Sequence, residues 1–288
     1  MSNKNKAQRR EEARAEALAL QQKQAQRDRR NRLLVFGGLG VAIAALVAVA
    51  AFILINEGEK KSVEDIPLSE VENVPSTALE SGGIPVGSDL VAGSENPEAP
   101  VVDEYLDYLC PVCGQFEEIN GADVETMLTS GDATVVFHPV SILDRMSSNT
   151  EYSTRAASAA YWVADRAPAS FYEFNEALFA NQPEESTAGL DDDELAQIAE
   201  DAGVPADVAA GIADGTARAT FGQYVHSLTN DATSDEALFN ANGGFGTPTI
   251  LIDGERFESW NQPGALLSAV QGGEPAPSEE PAEESSEG

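Results

Sequence analysis

Residues 104–116 read EYLDYLCPVCGQF, and this stretch holds both cysteines of the 288-residue chain, Cys110 and Cys113. Only Pro111 and Val112 lie between them. The residues before the pair, APVVDEYLDYL (99–109), read as a β-strand that ends at Cys110. Pro111 then suits the first turn of a helix, where a missing N–H costs nothing. Phe116, Ile119, Val124 and Met127 mark the apolar face of that helix. ATVVFHPV (133–140) reads as a second strand. Strand, helix and strand in this order imply a parallel pair joined by a right-handed crossover.

Two cysteines three residues apart at a helix start have three chemical uses. The first is redox exchange. Free N–H groups and the positive end of the helix dipole face Cys110 and stabilise a thiolate, the species that attacks disulfides. Cys113 is one turn further on, within reach of Cys110. The second is a metal site. Zinc needs four ligands, and the chain has two cysteines and two histidines; a two-thiolate Cu(I) site is the remaining form. The third is a structural clip, but so short a loop restrains little of the unfolded chain.

Charge divides the chain. The net charge is −32, but residues 1–32 carry ten Lys/Arg against four Asp/Glu, a net of +6, and residues 56–288 carry −38. Between them, LLVFGGLGVAIAALVAVAAFILI (33–55) runs 23 residues without a charge. That length crosses a hydrocarbon core of about 30 Å. It exceeds the roughly 7–15 residues of a signal-peptide core, so an uncleaved anchor is expected. Arg27, Arg29, Arg30 and Arg32 place residues 1–32 in the cytoplasm and the rest outside, where disulfides persist. An acidic outer domain does not suit nucleic acid, which needs a basic patch.

The remaining segments follow from composition. Residues 56–82 read as a spacer, 83–272 as the folded domain, and the Pro/Glu/Ser-rich 273–288 as an acidic disordered tail. Within the domain, IPVGSDLVAG (84–93) suggests an edge strand or hairpin. Helical patterns cover 150–166, 168–180, 205–213 and 217–229, and Asp191–Asp193 precede a helix ended by Gly203. GTPTILIDG (246–254) is a strand, ERFESW (255–260) its hairpin partner, and PGALLSAVQG (263–272) a closing helix. The expected fold is therefore α/β, ordered β-α-β … β-β-α, with a helical insert over about 146–235 and one transmembrane helix ahead of it.

The CPVC motif in its strand–helix setting, with Gly246-Thr247-Pro248 ahead of a strand, resembles the thioredoxin superfamily. The helical insert is similar to its DsbA-like branch. The D-Y-L-C-P-x-C pattern and GTPT are similar to membrane-anchored DsbA-family proteins of actinobacteria. The resemblance covers about residues 83–272. It implies a thiol–disulfide oxidoreductase in which Cys110 exchanges with substrate and Cys113 resolves. It implies a cis-proline at Pro248 facing the disulfide, with the Thr247 backbone offered to a substrate strand. Pro111 and Val112 would tune the pair. Glu104, six residues before Cys110, would be a buried acid that helps proton transfer, with Asp103 and Asp107 as rivals. His138 ends the second strand and is a further tuning candidate. No metal or organic cofactor is required. Partners would be thiols of secreted or envelope proteins and a quinone-linked membrane enzyme. The best-known oxidase motif has His where Val112 stands, so reductase or isomerase activity on the same fold, or a peptide-binding module, stays open.

Overall fold

The computed structural model describes residues 63–272. The expected cytoplasmic segment (1–32), membrane span (33–55) and tail (273–288) lie outside the described residues. Among the described residues, no helix is long and apolar enough to cross a membrane.

Five strands form one sheet. They are β1 (Ile84–Val86), β2 (Val101–Leu106), β3 (Thr134–Pro139), β4 (Thr249–Ile252) and β5 (Glu255–Arg256), ordered β1-β3-β2-β4-β5. β2 and β3 are parallel, from Val101 opposite Thr134 to Leu106 opposite Pro139. β2 and β4 are antiparallel, which sets Tyr105 opposite Thr249. Side chains alternate across a strand, so Glu104 and Tyr105 point to opposite faces. Both faces are covered, and Val102, Glu104, Tyr105 and Leu106 are all buried.

Helix α1 (Pro111–Ser130) crosses between β2 and β3 and ends at Gly131, whose left-handed φ of 77° closes the last turn. Phe116, Val124 and Met127 are buried as the apolar pattern predicts, while Ile119 is only half-buried. The insert contains α2 (Tyr152–Arg166), α3 (Phe171–Ala180), α4 (Asp192–Asp201), α5 (Ala206–Ala213) and α6 (Thr216–Ser234), and α7 (Ala265–Val270) closes the domain. The acidic run before α4 is a capping box: Asp191 accepts from the Glu194 N–H, and Glu194 from the Asp191 N–H. Phe137 of β3 is edge-on to Phe171 at 5.7 Å and seats the insert on the sheet, while Tyr161 edge-on to Tyr224 at 5.0 Å joins α2 to α6 within the insert. Each such fully buried ring contributes about 1.5–3 kcal/mol by leaving water.

Three expectations change. The strand leading to the cysteines ends at Leu106, not at Cys110. The Asp107 carboxylate accepts from the Leu109 N–H at 2.9 Å, which bends the chain into a turn and ends the ladder. The hairpin partner expected over 255–260 pairs only at Glu255 and Arg256, because a 3₁₀ turn at Ser259–Asn261 follows. Lastly, the spacer expected over 56–82 is, from residue 63 onward, part of the packed domain. Val71 is buried, Ile66 and Leu68 pack on the core, and Ser227 donates to the Ile66 carbonyl at 2.7 Å. Isolated apolar residues in a Glu/Ser/Pro-rich segment carry no periodic signal, so their partner helix, α6, decides their fate.

Gly83 lies where the incoming chain meets the sheet. A Cβ there would sit 2.4 Å from Val136 Cγ1 and 2.5 Å from His138 Cε1. Gly83→Ala is therefore expected to lower the urea midpoint at constant slope, by about 1–3 kcal/mol of overpacking. An unchanged midpoint would contradict this packing.

Candidate active site

Cys110 is the N-cap residue of α1 and Pro111 its first helical residue, as the motif implied. The Cys113 and Gly114 N–H groups bond the Cys110 carbonyl at 3.0 and 3.2 Å, so the loop is wound tightly onto the helix. Both cysteines are free thiols and both are buried, Cys113 completely and Cys110 all but 6%. Their chemistry is split. The Cys110 thiol is held down to about 6, first by the hydrogen bond from the Cys113 thiol and then, against burial, by the Thr247 side chain and the Cys113 and Val112 N–H groups. Burial, and then the Cys110 sulfur it donates to, push the Cys113 thiol well above its ordinary value. Near neutral pH one sulfur is a thiolate and the other keeps its proton.

The loop after the insert completes the site. Cys110 Sγ lies 3.3 Å from the Thr247 carbonyl oxygen. The Thr247–Pro248 peptide bond is cis, as the resemblance implied. Val112 is 41% exposed and, being apolar, supplies no side-chain donor to the sulfur.

The acids are distributed differently from their chain spacing. Glu104 is fully buried and neither of its carboxyl oxygens has a hydrogen-bond partner. Burial first, then the Glu176 and Asp103 charges, push its pKa well up. It faces Glu117 of α1 and Glu176 of α3, two carboxyls that share a hydrogen bond and are both pushed up. Glu117 follows Cys113 by four residues, which puts it one turn along on a neighbouring face. Asp107, not Glu104, is the acid that feels the Cys110 charge. It is fully buried, accepts from the Leu109 and Leu143 N–H groups at 2.9 Å each, and is pushed up to about 7, mainly by burial. Asp103 points the other way and bonds His138. His138 is fully buried, with its Nε2 2.8 Å from Asp103 Oδ1 and its ring stacked on Tyr105 at 4.1 Å. Its hydrogen-bond and ring partners are thus Asp103 and Tyr105, and neither is a cysteine.

The insert supplies a residue that no pattern announced. Gln182 Nε2 donates to the Tyr108 and Cys110 carbonyls at 3.1 and 2.9 Å. Gly114 leaves room for it, since a Cβ there would lie 2.4 Å from Gln182 Oε1. Tyr108 in turn donates to Asn175 Oδ1 at 2.8 Å. The cysteine loop is held from both sides, by α1 and by the insert. The second histidine, His226, bonds Asp65 and Asn230, away from any nucleophile. Among the described residues, no group of three or more His, Cys, Asp or Glu is placed to hold a metal ion.

The family model described as Thioredoxin matches residues 86–271. The chain belongs to this family, and its two-cysteine site puts it in the DsbA-like class of thiol–disulfide oxidoreductases. DsbA of Mycobacterium tuberculosis, in its oxidised form, is 31% identical, with a TM-score of 0.54 over 66% of this chain and 91% of that one. The reduced disulfide oxidoreductase DsbG of the same organism is 31% identical, with a TM-score of 0.53 over 70% and 91%. MdbA of Actinomyces oris shares the fold at 22% identity, with a TM-score of 0.55 over 72% and 95%. The M. tuberculosis serine/threonine-protein kinase PknE is 32% identical over 173 residues, 59% of this chain. That match spans only 29% of the kinase.

Two expectations follow from the acid placement. In the reduced protein, ultraviolet thiolate absorbance is expected to titrate once below pH 9, with a midpoint near the 6 of Cys110. At that midpoint Asp107, pushed up to about 7, is mostly protonated, so Asp107→Asn is expected to leave the midpoint in place; the same is expected of Glu104→Gln, because burial pushes that acid's pKa well up. A midpoint that falls clearly in either variant would contradict this and place a charged acid beside the sulfur.

Proposed function

We propose that the chain is a membrane-anchored, extracytoplasmic oxidase that donates the Cys110–Cys113 disulfide to secreted or envelope proteins. The observation that carries this reading is the split between the two sulfurs. A thiolate at Cys110 is a stable leaving group, so a mixed disulfide on Cys110 is readily resolved and the reduced pair is favoured. The uncharged 23-residue run at 33–55 and the basic residues before it support the anchor and its orientation.

The exchange is a two-electron transfer. A substrate thiolate attacks Cys110 Sγ of the oxidised pair, the Cys110–Cys113 bond breaks, and Cys113 leaves and takes up a proton. The mixed disulfide lies beside Thr247 and Pro248, where the backbone is open to a substrate strand. A second substrate thiolate attacks the substrate sulfur of that bond. Cys110 departs as thiolate, and the substrate leaves with its own disulfide. Two electrons have then passed to the Cys110–Cys113 pair, and a quinone-linked membrane partner removes them. Every step uses thiol chemistry, and no metal or organic cofactor takes part. Pro111 shapes the helix start that stabilises the thiolate. Val112 contributes no donor, which favours the reverse direction, reduction or isomerisation, relative to a motif with histidine there.

Trapping tests the mechanism. Cys113→Ser protein offered a cysteine peptide activated as a mixed disulfide is expected to accumulate one peptide adduct per chain by mass spectrometry. Cys110→Ser is expected to accumulate none, because Cys113 is buried and keeps its proton. The oxidised full chain should introduce a disulfide into a reduced two-cysteine protein. Equal adducts on both variants, or no oxidation of that protein, would refute the assignment.

A further inference from the structure

A cavity of about 320 Å³ opens on the sheet face opposite Glu104, outside the cysteine site. Tyr105, Leu228 and Leu238 line it as buried residues, and Glu80, Asp231 and Asp235 line it as exposed ones. No Lys, Arg or His is among its lining residues. The neighbouring cation, Arg256, is already committed to the Leu238 carbonyl, Thr249 and Glu258. Three carboxylates therefore surround an apolar floor with no positive charge to balance them.

The floor carries an independent sign of a ligand. Tyr105 is only 8% exposed, its phenol oxygen has no hydrogen-bond partner among the described residues, and that oxygen is open to the cavity. Burial, followed by the Asp103 and Asp235 charges, pushes this phenol's pKa up, so it stays neutral and its oxygen can accept from a cationic N–H. Its ring is fixed by the stack on His138 and by an edge contact with Phe245 at 5.8 Å. Phe245 opens the loop that leads to Thr247, whose carbonyl lies beside Cys110. The same short loop thus touches the cavity floor at one end and the reactive sulfur at the other.

We propose that this cavity receives a lysine or arginine side chain of the substrate polypeptide while a substrate thiol exchanges at Cys110. The aliphatic stem lies against Leu228, Leu238 and Tyr105, and the charged end lies among Glu80, Asp231 and Asp235. The inference rests on the oxidase reading above and names the substrate class of that site: cysteine segments with a basic residue nearby.

The test uses the oxidised full chain and a set of two-cysteine peptides. One lysine is moved through the three positions on each side of the first cysteine, and each peptide is paired with one carrying norleucine at the same place. The readout is the ratio of kcat/KM for the lysine peptide over the norleucine peptide at low salt. Exposed ion pairs are individually weak, so three carboxylates together should favour lysine by about threefold or more at one or more positions. In Asp231→Asn/Asp235→Asn protein the ratio is expected to fall to near one. In Glu200→Gln/Asp201→Asn protein, altered on α4 by the same charge, the ratio should persist. A ratio near one in the unaltered protein at every position would overturn the proposal. So would an equal fall in both variants, because the preference would then come from the overall acidic field. If the unaltered protein oxidises neither peptide of any pair, the oxidase reading fails first, and it takes this proposal with it.

Discussion

The N-terminus of α1 ends on one sulfur atom, and the rest of the site depends on that meeting. Cys110 caps the helix, the first free N–H groups face it, and the Cys113 thiol donates to it. Burial alone would raise the Cys110 pKa; the donors outweigh it. Cys113, one turn further in, has no comparable set of donors, so burial wins there. A single helix start therefore yields two thiols of opposite character. Their difference gives the pair a direction: one sulfur leaves as an anion and the other carries the proton.

Around this centre the fold keeps negative charge neutral or at a distance. Glu104, Glu117 and Glu176 form a buried carboxyl group under α1 whose pKa values are all pushed up, mainly by burial. Burial opposes ionisation of all three, which limits the negative charge under α1 and leaves the site's electrostatics mainly to the helix start. Asp107 joins two roles. Its oxygens accept from the backbone at Leu109 and Leu143, which shapes the loop before the cysteines, and the Cys110 charge adds to burial in raising its pKa. Gln182 and Tyr108 fasten the same loop to the insert. The helical insert is therefore part of the redox site's frame as well as a cover for the sheet.

The legible parts of this arrangement are those with local causes. The apolar strand runs, Pro111 at a helix start, the acidic run before Glu194 and GTP before a strand each act within a few residues, and each element forms where its pattern lies. Two kinds of feature were not legible. Packing of residues 63–82 depends on α6, more than a hundred residues away. The hold of Gln182 on the cysteine loop depends on the tertiary approach of α3 to α1, and only Gly114, a glycine inside the first turns of a helix, hints at it. The coupling of Asp107 to Cys110 was not legible for a related reason. Period-two alternation correctly separates Asp103 from Glu104, but Asp107 lies past the strand end, where alternation no longer applies. His138 is the penultimate residue of β3, and its ring turns to Asp103 and Tyr105.

The redox potential of the Cys110–Cys113 pair, measured by equilibrating the full chain in glutathione buffers, tests the central claim most directly. A thiolate favoured at Cys110 stabilises the reduced pair, so the potential should be more positive than about −200 mV, on the side of DsbA-type oxidants. A potential more negative than that, toward the roughly −270 mV of thioredoxin, would mean that the helix start does not favour the reduced form, and the account of this site would be wrong.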